Sequence, residues 1–80
     1  MNNKEFGNKL LFTWIDNLEF KTKLSDLLIE AKKRRKKSET QKQVSEMLKI
    51  PLTKIKQIEN GTSKDINAIV NYIAFQGLKL

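Results

Sequence analysis

Residues Thr40 to Gly61 read TQKQVSEMLKIPLTKIKQIENG, and how this stretch is parsed decides the fold. Val44 and Leu48 stand four residues apart and mark one face of a short helix, while Ile55 and Ile58, three apart, mark another. Thr40 is a good N-cap, with Gln43 three residues on as the reciprocal partner of a capping box. Ser38 with Gln41 offers the same pattern, so the start is open by two residues. The period breaks at Lys49 and Pro51, on either side of Ile50, and Gly61 can take the left-handed conformation that ends a helix. The spacing predicts helices over 41–48 and 52–60 joined by a tight turn. That is the layout of a helix-turn-helix.

Upstream, Leu24, Leu27, Leu28 and Ala31 give an inward helical face from Lys23 onward, and Arg35 extends the row outward. Thr22 is placed to cap this helix, and the Lys and Arg residues at its far end suit the negative pole. The run KKRRKK at 32–37 reads as a solvated helix end that adds charge next to a polyanion; a nuclear-localisation patch is the other reading. Residues 1–21, MNNKEFGNKLLFTWIDNLEFK, carry two patterns. Phe6, Leu10, Trp14 and Leu18 recur every four residues as a helical stripe, whereas Leu10, Phe12 and Trp14 alternate ahead of a hairpin turn at Asp16-Asn17. The segment reads either as extra core or as a partner-docking surface. The chain thus divides into an apolar extension, 1–22, as an extra helix or hairpin, and a domain, 23–80.

Downstream, Asp65 caps a further helix to about Gln76, with Ile66, Ile69, Val70, Tyr72 and Ile73 inward and Gly77 as its stop. Leu78-Lys79-Leu80 alternates, and reads as a short C-terminal strand or a frayed end. The expected class is all-α.

A chain of 80 residues makes one small domain and buries only about 60% of its unfolded surface, so pairing with a second copy would help it. Cysteine and histidine are both absent, which removes disulfides, thiolate metal sites, the commonest general base and the commonest metal ligand. No metal and no cofactor is expected. No apolar run is long enough to span a bilayer and no secretion signal opens the chain, so a cytoplasmic location and no membrane partner are expected. The net charge of +7 is uneven: residues 1–31 hold four lysines against five acids, residues 32–80 twelve Lys or Arg against four. A basic excess confined to one region is the footprint of a polyanion binder.

On a wheel of about 100° per residue, inward Ile55 and Ile58 turn Leu52, Thr53, Lys56 and Gln57 outward as one strip. Such a strip fits the DNA major groove, about 12 Å wide. Gln57 can pair with adenine, Lys56 can donate to guanine, and Leu52 with the Thr53 methyl can pack on thymine methyls. The plain alternative is an ordinary solvated face. Gln41, at a helix N-terminus with free backbone N–H groups, is placed for phosphate, with Asn60 and Lys64 on the opposite flank and Lys54 to the side. Arg34 and Glu59 are expected to pair and lock two helices together.

Gln41, Val44, Ser45, Leu48, Ile50, Ile55, Ile58, Glu59, Asn60 and Gly61 together resemble the signature of the lambda-repressor-like (Cro, XRE) helix-turn-helix family. The resemblance covers about Lys23 to Leu80, and its spacing has no gap through the motif. It implies a compact bundle of four or five helices, a homodimer, and binding to a two-fold operator on double-stranded DNA as a repressor. By position it places base reading on Leu52, Thr53, Lys56 and Gln57, phosphate contacts on Gln41, Asn60 and Lys64, and the ion pair on Arg34 and Glu59. Three residues depart from the family pattern: Ser38 in place of glycine, Pro51 in place of a polar cap, and Lys49 in place of a small residue. The C-terminal INAIVNYIAFQGLKL is similar to the HipB-type antitoxin branch, in which a short strand pairs two subunits.

Two functions follow. The first is a dimeric, sequence-specific transcriptional regulator; the second is an antitoxin that holds a partner toxin and regulates its own operon. An enzyme is not expected, because no catalytic set can be assembled from these residues. A membrane-surface peptide built on residues 32–37 lacks an apolar face.

Overall fold

Among the described residues four helices carry the fold, each with an identifiable start and stop. The computed structural model describes residues 11–79. Helix α1 spans Leu18–Ser38, α2 Gln41–Leu48, α3 Leu52–Asn60 and α4 Ile66–Phe75; among the described residues there is no strand. The all-helical class holds. Neither a fifth helix nor a C-terminal strand is present there, and Leu80, like Phe6 and Leu10 of the proposed N-terminal stripe, lies outside the described residues.

Helix α1 begins earlier than Lys23. Asn17 caps it by accepting from the Phe20 backbone N–H at 2.8 Å, so Asp16-Asn17 forms a helix start rather than a hairpin turn, and Thr22 lies exposed inside the helix. Asn is among the best N-caps and Thr a weaker one, and the earlier start adds a full turn. Leu24, Leu28 and Ala31 are buried, Leu27 is half-buried, and the same row continues inward to Arg35.

Helix α2 opens with a complete capping box. Thr40 Oγ1 accepts from the Gln43 N–H at 3.1 Å and Gln43 Oε1 accepts from the Thr40 N–H at 2.7 Å. It closes at Lys49, which takes the left-handed conformation (φ 57°) and donates its N–H to the Ser45 carbonyl. The Ser45 hydroxyl reaches across the turn to the Ile50 carbonyl, and the Ile50 N–H returns to the Ser45 carbonyl. A small polar residue at 45 thus ties the turn. Pro51 gives no side-chain cap to α3, yet its carbonyl accepts from Lys54 and Ile55. Gly61 (φ 76°) ends α3 and Asp65 caps α4 through the Ala68 N–H.

The core gathers Leu24, Leu28 and Ala31 of α1, Val44 of α2, Ile55 and Ile58 of α3, and Ala68, Ile69, Tyr72 and Ile73 of α4. Leu48 and Ile50 are half-buried against it. Phe12 and Ile15, ahead of α1, belong to the same core. Residues 11–15 are thus packed into the body of the fold. Phe12 adopts a left-handed backbone (φ 54°) with its ring fully buried. That conformation costs about 1–2 kcal/mol for an L-residue, and burying an aromatic ring, about 1.5–3 kcal/mol, offsets it.

Candidate nucleic-acid interface

Burial divides α3 into two faces. Ile55, Ile58 and Glu59 are buried, while Thr53, Lys56, Gln57 and Asn60 are exposed and Leu52 is half-buried. The orientation read from the two isoleucines therefore stands. The exposed side offers an amide, an ammonium and a hydroxyl along nine residues, about 13 Å of helix. Leu52 contributes only part of its side chain.

The other candidates divide. Lys64 is exposed in the loop after α3. Lys54 is engaged inside the molecule, with Nζ 3.3 Å from Asp65 Oδ2. Asp65 is held below the usual carboxylate range, mainly by the Ala68 backbone N–H and then by Lys54. Gln41 sits half-buried at the start of α2, and its Nε2 donates to Glu59 Oε1 at 2.9 Å. One amide proton is thereby committed, which fixes the direction of the side chain and leaves its oxygen and second proton uncommitted.

The expected pair of Arg34 and Glu59 is not formed; the partner of Glu59 is Arg35. Arg35 Nε lies 2.8 Å from Glu59 Oε2 and its NH2 group 2.7 Å from Oε1, a bidentate fork. The reason is helical phase. Leu24, Leu28 and Ala31 continue to Arg35 on the buried side of α1, and Arg34 stands about 100° away. Arg34 instead donates to the Gln76 carbonyl at 2.9 Å and lies 3.5 Å from Glu30. The expectation that Arg35 points outward is corrected with it.

Glu59 has a third kind of partner, missed in the sequence. The Tyr72 hydroxyl donates to Oε2, so each carboxylate oxygen accepts two bonds. Burial works against the Glu59 charge, but the bonds from Arg35, Tyr72 and Gln41 outweigh it and hold its pKa below the ordinary glutamate value. The hydrogen bond to Glu59 in turn raises Arg35. Burial first, and Glu59 second, push Tyr72 above its ordinary range, so the hydroxyl stays protonated. Arg35 was legible as the next member of an inward row; Tyr72 gave no signal beyond its inward position.

Residues 11–14 also reach this end of the fold. The Phe12 N–H donates to the Gly61 carbonyl at 2.8 Å and the Trp14 indole N–H to the Ser63 carbonyl at 3.0 Å.

Among the described residues no group of acidic side chains could hold a metal ion, and no helix is long and apolar enough to cross a membrane. No family model, no curated protein and no solved structure matches the chain.

Proposed function

We propose that this protein binds double-stranded DNA sequence-specifically and regulates transcription as a dimeric repressor, with α2, its turn and α3 acting as a helix-turn-helix of the lambda-repressor-like kind. The observation that carries the reading is the division of α3: Thr53, Lys56 and Gln57 face solvent on the side opposite Ile55 and Ile58. In this reading α3 enters the major groove, Gln57 and Lys56 address base edges, and Thr53 with the exposed part of Leu52 meets thymine methyls. The region from residue 32 onward carries the whole positive excess of the chain, which supplies the sequence-independent attraction.

The phosphate grip then falls on two flanks. On one, Gln41 and the N–H groups of the first turn of α2 face the backbone, with the amide aimed by Glu59. On the other stand Asn60 and Lys64. Lys54 is a reserve: its ammonium must leave Asp65 before it can reach a phosphate. Donors on both flanks would meet a strand on either side of the groove.

A second reading, an antitoxin that holds a partner toxin and autoregulates its operon, is favoured by one observation. Leu18, 71% exposed, lines an open groove along α1 with Thr22, Lys23, Asp26 and Leu27. In this reading a protein partner covers the exposed Leu18.

Selection of binding sites from random duplex DNA, run beside a sizing measurement, tests the first reading. A recovered two-fold site and a dimer are expected. Recovery of no sequence above background overturns specific recognition, and a monomer that holds one half-site tightly overturns the dimer.

A further inference from the structure

Ahead of α1, residues 11–14 make three separate contacts with a single loop, the one that joins α3 to α4. Leu11 lies over Gly61 so closely that a Cβ there would stand 2.2 Å from Leu11 Cδ2 and 2.9 Å from its Cα. Phe12 donates its backbone N–H to the Gly61 carbonyl. Trp14 donates its indole N–H to the Ser63 carbonyl, 49 residues away in sequence. Phe12 holds a left-handed backbone to do so, a conformation kept only where the surroundings fix it.

The loop they hold is short and ordered from both sides. The Thr62 and Ser63 N–H groups both donate to the Gln57 carbonyl, and the Ser63 hydroxyl accepts from the Asp65 N–H. Ser63 is buried, while Asn60, Thr62 and Lys64 face outward. With two loop carbonyls taken by the N-terminal segment, the polar side chains on either side of Gly61–Ser63 are turned to solvent on the flank assigned to phosphate.

We propose that Leu11–Trp14 is a strap that positions Asn60 and Lys64 for the phosphate backbone, with Trp14 as its principal positioning residue. This rests on the DNA reading above. The strap touches no DNA itself; it acts by fixing where the loop side chains stand. A segment at one end of the sequence thereby becomes part of the grip made at the other.

Trp14→Phe tests it, because the variant keeps an aromatic ring and removes the indole N–H. Binding to a mixed-sequence duplex of about 20 base pairs, two helical turns, is measured across a range of salt for wild type, Trp14→Phe, Lys64→Ala and the double variant. Trp14→Phe is expected to flatten the slope of log K against log salt by about one, the loss of a single phosphate contact. Combining it with Lys64→Ala is expected to flatten the slope no further than either change alone. Ile15→Ala, a core change beside the strap, is the control: it lowers the melting temperature and leaves the slope alone. Should Trp14→Phe not fold, Leu11→Ala, which uncovers Gly61 without removing a hydrogen bond, replaces it with the same expectation.

A folded strap variant with the wild-type slope overturns the proposal, as does an equal flattening by Ile15→Ala. A wild-type protein without salt-dependent binding to the duplex overturns the DNA reading itself, and the strap's role with it.

Discussion

Tyr72 on α4 donates its hydroxyl to Glu59 on α3, at the oxygen that also accepts from Arg35 Nε. A carboxylate only 3% exposed therefore stands fully hydrogen-bonded in the interior, its charge matched by one guanidinium. Removing one member of a buried pair costs far more than removing a surface charge, because the other is left uncompensated.

Arg35→Ala is accordingly expected to destabilise the fold by about 3–5 kcal/mol. Arg34→Ala, which gives up a carbonyl contact and a solvent-exposed pair with Glu30, is expected to cost about 1 kcal/mol or less. Urea unfolding of the two variants separates them, and equal midpoints would contradict the assignment of the pair.

Ionisation of the cluster gives a pH profile with two limbs. Glu59 is held below its ordinary value of 4.5 in the fold, so its contribution is present above that value and is lost as pH falls through the folded pKa. Tyr72 is raised above its ordinary 10.0, so its contribution is present below that value and is lost as pH rises beyond it. The melting temperature should be level near neutrality, fall below about pH 4.5 and fall again above about pH 10. Tyr72→Phe should weaken the alkaline limb; a limb that persists unaltered assigns it to other groups.

Gly61 is both left-handed and covered by Leu11. Gly61→Ala combines an unfavourable φ with a contact to Leu11 backbone that cannot yield cheaply, so it is expected to cost more than about 1 kcal/mol. Gly77, also left-handed, meets only the side-chain end of Arg34 at 3.3 Å and no backbone, and its alanine variant should cost less. Thermal melts of the two variants give the comparison.

For recognition, Gln57→Ala is expected to lose discrimination at one base pair, about 1–3 kcal/mol, in competition between single-base variants of a selected site. Uniform weakening on every sequence would remove Gln57 from base reading. Lys64→Ala should weaken all sequences alike and flatten the salt slope by about one. Lys54→Ala should flatten it less, because that ammonium is engaged by Asp65.

Most of the helical layout was legible in the sequence, since caps and stops are local. Thr40 with Gln43, Gly61, and Asp65 each mark a boundary that the structure keeps. The outward face of α3 was legible for the same reason, because two isoleucines three apart fix its phase. The start of α1 was misplaced because Asp16-Asn17 read as a hairpin turn, which left Thr22 as the cap. What the sequence concealed lies between distant positions. Tyr72 on Glu59 and Trp14 on Ser63 are matters of side-chain reach, and periodicity carries no information about which polar atoms meet across a core. Arg35 was misread because a charged residue within a basic run looks solvated, although its phase on α1 placed it inside.

The Glu59 carboxylate bears on how the domain comes apart. Its partners come from α1, α2 and α4, and it stands on α3 itself, so each of the four described helices is tied to one pair of oxygens. Any one of these helices that detaches alone uncovers an ion or strands a polar group. Local openings, which in most small proteins let segments exchange independently, are thereby raised toward the free energy of global unfolding. These four helices around a modest core should melt as one unit, with amide protons near Arg35, Gln41, Glu59 and Tyr72 released together.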